Sequence, residues 1–171
     1  MREFVIRDGV LIRYLVSDKK VQIPEGVTAI GESAFYSCPT VVRVEIPPTV
    51  ASIGNSAFSD CASLETVKIP EGVTHIGDYA FYDCTRLQSI TLPNGIRTLG
   101  AETFSGCTRL TEVTLPATLT EIGAMAFAFC PVLEKIYYAG TEADWSRIRI
   151  GEGNTAFSTA KLHFGDFDTV C

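Results

Sequence analysis

The residues most able to do chemistry in this sequence are its cysteines. Five recur at one constant step, the step that separates Cys38 from Cys61, and a sixth, Cys171, ends the sequence. Zinc sites need close cysteine pairs such as Cys-x-x-Cys, which this step does not supply. Stacked cysteines fit disulfide geometry poorly, and five cannot all pair. We therefore predict reduced thiols that fill a core slot and resist alkylation, at Cys38, Cys61, Cys84, Cys107 and Cys130, with Cys171 a free thiol.

The histidines are the other candidates for catalysis, and there are only two, His75 and His163. The position of His75 in the repeat is held elsewhere by alanine, serine, threonine and glutamate, which indicates an exposed site. A catalytic triad or metal cluster needs partners that converge, and none is apparent. The glycines match neither a Walker sequence nor G-x-G-x-x-G, and we interpret them as turn residues. The sequence therefore predicts no catalytic residue, no metal and no cofactor.

Composition places the chain among ordered proteins of one domain. It has 171 residues, of which 46% are hydrophobic and 20% charged. The net charge of −6, with no basic run, argues against nucleic acid as a partner. No apolar run approaches the roughly 18 to 20 residues of a membrane span. Charges at Arg2, Glu3, Arg7 and Asp8 interrupt any signal peptide, which favours a cytoplasmic location by default.

A short repeat, with a step of 23 residues, must position all of these side chains. Phenylalanine, glycine and proline recur with the same step as cysteine, at Phe35, Gly31 and Pro24 and their later equivalents. In the unit from 67 to 89, alternation predicts a strand that Pro70 ends, followed by a turn and a second short extended piece. Asp78 then could cap one helical turn that points Phe81 and Cys84 inward. A single unit cannot bury its apolar side, but stacked copies form one continuous core.

The pattern LxxVxIPxxVTxIGxxAFxxC resembles the BspA-like (Treponema pallidum type) leucine-rich repeats. One repeat carries it at Leu64, Val67, Ile69, Pro70, Val73, Thr74, Ile76, Gly77, Ala80, Phe81 and Cys84. The resemblance implies a solenoid with a parallel sheet on one face and roles in adhesion and protein–protein contact, often at bacterial surfaces. It implies no catalytic residues. It also raises a cell-surface or secreted location as the alternative to the cytoplasm.

The predicted fold is an α/β solenoid, a single leucine-rich-repeat domain over residues 1–171. We expect an N-terminal hairpin cap at 1–20, signalled by Asp8-Gly9 between apolar runs. Five repeats follow at 21–135, with a parallel sheet on one face and short helical turns on another. A C-terminal cap at 136–171 includes a helix start at Thr141 to Asp144 and a closing strand near Lys161 to Phe164.

The positions where the repeats disagree are the candidates for specificity. Between the inward residues of each predicted strand lie two outward columns: Arg43, Glu45, Thr66, Lys68, Ser89, Thr91, Glu112, Thr114, Lys135 and Tyr137. A second candidate surface is the turn aromatics Tyr36, Tyr79, Tyr82 and Phe129. These patterns favour a non-catalytic module for protein interaction or adhesion, with a protein partner, no nucleic acid and no membrane insertion. The alternative is a structural spacer without a ligand, and an enzyme ranks last.

Overall fold

The computed structural model describes residues 3–165, which begin with an antiparallel hairpin. Its strands are β1 (Phe4–Arg7) and β2 (Val10–Tyr14). Asp8 and Gly9 form the turn with φ of 51° and 78°, the left-handed conformation that tight hairpins need. The start of β2 pairs in parallel with the first coil, so the hairpin covers the end of the stack.

Each coil then supplies one strand to each of two parallel sheets. In chain order these are β3 (Lys20–Gln22), β4 (Ala29–Ile30), β5 (Arg43–Glu45), β6 (Ser52–Ile53), β7 (Thr66–Lys68), β8 (His75–Ile76), β9 (Ser89–Thr91), β10 (Thr98–Leu99), β11 (Glu112–Leu115) and β12 (Glu121–Ile122). The odd-numbered strands from β3 form the first sheet, and β2 with the even-numbered strands forms the second; each sheet consists of two hydrogen-bonded parts, divided after β7 and after β8. The fold predicted from the sequence, a capped leucine-rich-repeat solenoid, is confirmed.

The C-terminal segment continues both sheets past the five predicted repeats. It contains β13 (Lys135–Tyr138), helix α1 (Glu142–Trp145), β14 (Arg149–Ile150), a 3-10 helix (Thr155–Ser158) and β15 (Lys161–Phe164). Strands β13 and β15 extend the first sheet, and β14 extends the second. Thr141 caps α1 through the capping box that its spacing from Asp144 predicts. Residue Cys171 and the rest of the sequence after 165 lie outside the described residues.

Between the second sheet and the next coil the chain forms a turn that is not helical. In the turn at 78–83, Tyr79 and Asp83 have φ of 58° and 52°, and corresponding residues of the other coils share this left-handed conformation. The backbone N–H of Phe81 donates to Thr103 O in the next coil at 2.9 Å. In a helical turn, backbone N–H groups would donate to carbonyl groups of the same coil. Here such N–H groups donate to the next coil instead, so a ladder between coils replaces the expected helical turn.

A column of stacked aromatic rings fills the core along the solenoid. The five repeat phenylalanines, from Phe35 to Phe127, have successive ring centroids 4.9 to 5.4 Å apart, and all are fully buried. The caps prolong the column: Tyr14 stacks on Phe35 at 5.1 Å, and Phe157 packs on Phe127 at 5.1 Å. Each cap thus covers an aromatic face that would otherwise meet water.

The repeat glycines are required by the close approach of neighbouring coils. A Cβ atom on Gly123 would lie 2.6 Å from the carbonyl carbon of Gly100 and 2.7 Å from Ala101 N. Gly54 and Gly151 face the preceding coil in the same way. These glycines do not have the left-handed φ of a turn residue, so interpreting them as turn residues was wrong. Only a residue without a side chain fits the space.

Candidate binding face

The outward side chains of the first sheet form two straight columns, which we call the first-sheet surface. All ten residues predicted from the repeats lie in these columns, because the strands pair in register: Arg43 with Thr66, Glu45 with Lys68, Glu112 with Lys135 and Thr114 with Tyr137. The structure adds Lys20 and Gln22 at one end and Lys161 and His163 at the other.

These four residues were missed for different reasons. Lys20 and Gln22 flank Val21, which lies one repeat step before Val44, so the period of the sequence could have found them. Lys161 follows its partner Lys135 by more than one repeat step, because the C-terminal segment inserts a helix and a 3-10 helix between the two strands. The period therefore gives no signal for Lys161 and His163.

Exposure divides the first-sheet surface into two halves. The six predicted residues on β5, β7 and β9 are exposed, whereas the four on β11 and β13 are only half-exposed. In the second half Lys135 Nζ lies 2.9 Å from Glu112 Oε1, and that hydrogen bond raises the pKa of Lys135. Tyr137 stacks on His163 with ring centroids 4.9 Å apart. Lys20 and Gln22 on β3 are exposed as well, so the freely accessible half of the surface is the one formed by β3, β5, β7 and β9.

Two adjoining cavities lie on the accessible half. The larger, about 680 Å³, is lined by β5 and β7 with the loops after them, and includes Arg43, Glu45, Thr66 and Lys68. The smaller, about 300 Å³, lies over β7 and β9 and includes Lys68, Ser89 and Thr91. The larger volume falls within the range of about 300–1,000 Å³ that is typical of ligand pockets. The cavities bring six of the ten predicted residues together, and the four on β11 and β13 line neither.

The sheets are interrupted beneath the smaller cavity. The hydrogen-bonded ladder of the first sheet runs from β3 to β7 and resumes at β9, and that of the second sheet stops at β8 and resumes at β10. Both interruptions fall between the same two coils. The turn ladder continues across that junction, with Phe81 N donating to Thr103 O at 2.9 Å. Val67 on one side of the gap is 9% exposed, and Ile90 on the other side is 2% exposed.

The charge of the first-sheet surface differs in sign from that of the chain. Five of its fourteen outward residues are lysine or arginine and two are glutamate, a net charge of +3, whereas the whole chain carries −6. Arg43 Nε lies 3.5 Å from Glu45 Oε1 on the same strand, and Lys135 is paired with Glu112. Lys20, Lys68 and Lys161 form no ion pair with any residue in the range 3–165.

Comparison with known proteins decides the family. The family model described as "BspA type Leucine rich repeat region" matches residues 14–142 in six copies. The chain belongs to the BspA-type leucine-rich repeat family. The resemblance predicted from the sequence motif is confirmed. The count of six copies is one more than the five repeats predicted, and the match extends beyond the predicted repeats at both ends.

Solved structures similar to this BspA-type protein come from several bacteria. A leucine rich cell surface protein from Faecalibacterium prausnitzii superposes with a TM-score of 0.79 at 34% identity, over 82% of this chain and 38% of that one. The leucine rich repeat protein of T. pallidum gives 0.73 at 29% identity, over 91% and 77% of the two chains. A leucine-rich repeat protein from Eubacterium ventriosum gives 0.63 at 30% identity, over 71% and 32%. No curated protein matches the sequence significantly.

Four of the five repeat cysteines are buried thiols that bond across coils, whereas Cys38, in the first repeat, is only half-buried, so the predicted core slot holds for it only in part. Cys61, Cys84, Cys107 and Cys130 each donate from Sγ to the carbonyl oxygen of a phenylalanine in the preceding coil, at 3.1 to 3.3 Å. Burial raises the pKa of Cys61 and Cys130 to about 12, and that of the other two well above 9.0. All five repeat cysteines are free thiols. The sequence indicated the core slot but not the hydrogen bond.

The remaining candidate groups stay apart from one another. His75 is exposed on β8, as its variable repeat position predicts. Within residues 3–165, no three histidine, cysteine, aspartate or glutamate side chains are placed to hold a metal ion. The helices of that range are too short and polar for any of them to cross a bilayer.

The turn aromatics do not form one surface. Phe129 is 70% exposed, and Tyr36 is 53% exposed. Tyr79 packs edge-on against Tyr82 at 5.7 Å, and its hydroxyl donates to Glu102 Oε1 at 3.2 Å. Two of the four aromatics are thus engaged with each other and with the neighbouring coil, and the other two lie in the first and last repeats.

Proposed function

We propose that the chain is a non-catalytic module that binds a protein partner through the first-sheet surface. The observation that carries the proposal is the pair of adjoining cavities, of about 680 and 300 Å³, on the exposed half of that surface. They are lined by six residues at which the repeats differ, so they can carry specificity without disturbing the core.

Several features support a partner that is bound non-covalently and is not chemically changed. Solenoids commonly bind along an extended surface formed by many repeats. The floor of the larger cavity is apolar, with Val44, Ile46 and Val67, and its walls carry charged and hydroxyl groups. This combination of an apolar floor with a few polar groups is typical of recognition sites. The four buried, high-pKa thiols of the repeats are unreactive, so they are poor candidates for nucleophiles.

The setting that we propose is the bacterial cell surface, with adhesion as the biological role. The support is the similarity to the cell surface protein of Faecalibacterium prausnitzii. That protein is longer, and this chain spans 38% of it. The proposal for this chain is therefore limited to the binding that its own surface can provide.

A capture experiment with matched variants tests the proposal. The first variant carries Arg43→Ala, Lys68→Ala and Tyr137→Ala on the first-sheet surface. The control carries Arg97→Ala, Arg109→Ala and Tyr36→Ala, which removes similar side-chain types at exposed positions elsewhere.

Immobilised protein is exposed to secreted and surface proteins of the source bacterium and of its host, and bound proteins are identified by mass spectrometry. We expect the control to retain the partners of the unmodified chain and the first variant to lose them. If both variants retain the same partners, the first-sheet surface is not the binding site. If no protein binds specifically to any form, the chain acts as a structural spacer.

A further inference from the structure

Lys68 is the cation best placed to contact a partner. It projects from β7 and lines both cavities, so it lies at the centre of the accessible half. Arg43 and Lys135 already have carboxylate partners on the same surface, whereas Lys68 pairs with no described residue. The other two unpaired lysines of the columns, Lys20 and Lys161, lie on the terminal strands and line neither cavity.

The side chains around Lys68 are short and can hydrogen-bond. Thr66 lies on the same strand, and Ser89 and Thr91 lie across the smaller cavity on β9. Their hydroxyl groups can donate to a carboxylate or accept from a backbone N–H. On the β9 side, Ile90 is buried, so Ser89 and Thr91 are the exposed side chains there, and β7 and β9 are not joined by ladder hydrogen bonds. A carboxylate there would form a charge-assisted hydrogen bond, the stronger kind.

Two carboxylates determine what kind of acidic partner fits. Glu45 lies in the larger cavity beside Arg43, and Glu71 lines both cavities and accepts weakly from Asn94 N at 3.5 Å. A string of closely spaced negative charges, as in a nucleic acid, would be repelled by these two groups. A single carboxylate flanked by uncharged residues brings only one negative charge near these two groups, so it is repelled less than a polyanion and can still pair with Lys68.

We propose that Lys68 anchors the partner by binding one aspartate or glutamate side chain of an extended protein segment, with Thr66, Ser89 and Thr91 bonding to the same segment. This inference rests on the proposed function of the first-sheet surface and adds the chemistry of the ligand. The ammonium group of Lys68 supplies the positive charge, and the hydroxyl groups of the other three residues supply directional hydrogen bonds.

The test uses amide NMR of the isotope-labelled chain with synthetic peptides. The capped peptide Ser-Thr-Ser-Glu-Ser-Thr-Ser is compared with versions in which Gln or Lys replaces Glu, and with a single-stranded DNA oligonucleotide. We expect the Glu peptide to shift amides of β5, β7 and β9 and to bind about tenfold more tightly than the Gln peptide.

Two variants assign the effect to Lys68. Lys68→Glu should reverse the preference, so that the Lys peptide binds more tightly than the Glu peptide. The matched control Arg109→Glu, an exposed cation outside the surface, should leave the preference unchanged. The melting temperature of each variant shows that the fold is intact.

Each other outcome overturns the inference. Equal binding of the Glu and Gln peptides, shifts outside the three strands, or an unchanged preference in Lys68→Glu would show that Lys68 is not a carboxylate anchor. Tighter binding of the DNA than of the Glu peptide would show that the surface selects polyanions. The capture experiment remains independent: loss of partners in its first variant, together with peptides that show no preference, would retain the binding surface and reject the anchor.

Discussion

The thiol of Cys84 donates a hydrogen bond to the carbonyl oxygen of Phe58 in the preceding coil, with 3.2 Å between sulfur and oxygen. Cys61, Cys107 and Cys130 make the same contact, each with the phenylalanine of the preceding coil. The two most regular columns of the sequence are therefore bonded to each other across coils. This explains why a cysteine, which is small, apolar and able to donate weakly, suits the position.

Cys84→Ala should destabilise the fold by about 1–2 kcal/mol, because it removes the thiol hydrogen bond and leaves a small cavity. The carbonyl of Phe58 keeps its bond from Cys61 N at 3.2 Å, so no acceptor is left unsatisfied. Urea denaturation measures the loss. Cys38→Ala is the control: Cys38 is only half-buried, and its thiol bonds within its own coil, to Tyr36 O, so its loss should be smaller. An equal loss at both positions would contradict the cross-coil bond.

Alkaline pH should destabilise the protein through the same thiols. Burial raises the pKa of Cys61 from 9.0 to about 12. Below pH 9 the thiol is protonated in both states and its stabilising effect is fully present. Between pH 9 and about 12 the unfolded chain ionises first, so the free energy of unfolding falls by up to about 1.4 kcal/mol per pH unit for each such thiol. Denaturation at pH 8, 9 and 10 should show a steeper fall for the unmodified chain than for Cys61→Ala, and parallel curves would exclude this cause.

Phe81→Ala should cost about 3–5 kcal/mol, because the ring is fully buried between Phe58 and Phe104 at centroid distances of 5.2 and 5.4 Å. Phe129→Ala is the matched control, since that ring is 70% exposed and its loss should change stability by less than about 0.5 kcal/mol. Thermal melts of both variants test the ladder. A melting temperature for Phe81→Ala equal to that of the unmodified chain would rule it out.

Gly123→Ala should destabilise by about 1–3 kcal/mol, because its Cβ would lie 2.6 to 2.8 Å from backbone atoms of the preceding coil, which cannot rotate away. Gly72→Ala is the control, since its Cβ would have no neighbour closer than 3.3 Å. Chemical denaturation compares the two, and an equal loss of stability would contradict the steric cause. The repeat step makes Gly123 recognisable as structural, but sequence cannot distinguish a turn that needs a left-handed φ from a coil that needs an empty space.

The repeat period predicts which side chains share a column much better than it predicts backbone conformation. The period fixes which residues share a column, so the buried phenylalanines and the outward pairs such as Arg43 and Glu45 follow from it directly. Where hydrogen bonds go depends on backbone conformation, which is why the turn at Tyr79 was expected to be helical. The cavities around Lys68 depend on the interruption between β7 and β9, and no periodic feature of the sequence signals that interruption.

In the C-terminal cap, the side chain of Asn154 takes the place of a backbone hydrogen-bond acceptor that a further coil would supply. Its side-chain oxygen accepts from Phe127 N at 3.0 Å, in the place where Ala126 O accepts from Phe104 N one coil earlier. Its side-chain nitrogen donates to Gly123 O at 3.0 Å and to Gly151 O at 2.8 Å. The residue is 9% exposed, so water cannot replace these bonds easily.

Asn154→Ala should therefore destabilise the protein by about 2–4 kcal/mol, since it removes three hydrogen bonds and leaves the N–H of Phe127 buried without an acceptor. Asn94→Ala is the control, because Asn94 is exposed. Hydrogen exchange adds a local readout: the amide of Phe127 should lose protection in Asn154→Ala before the amide of Phe81 does. Uniform loss of protection along the solenoid, or none at Phe127, would show that the cap is not held by this side chain.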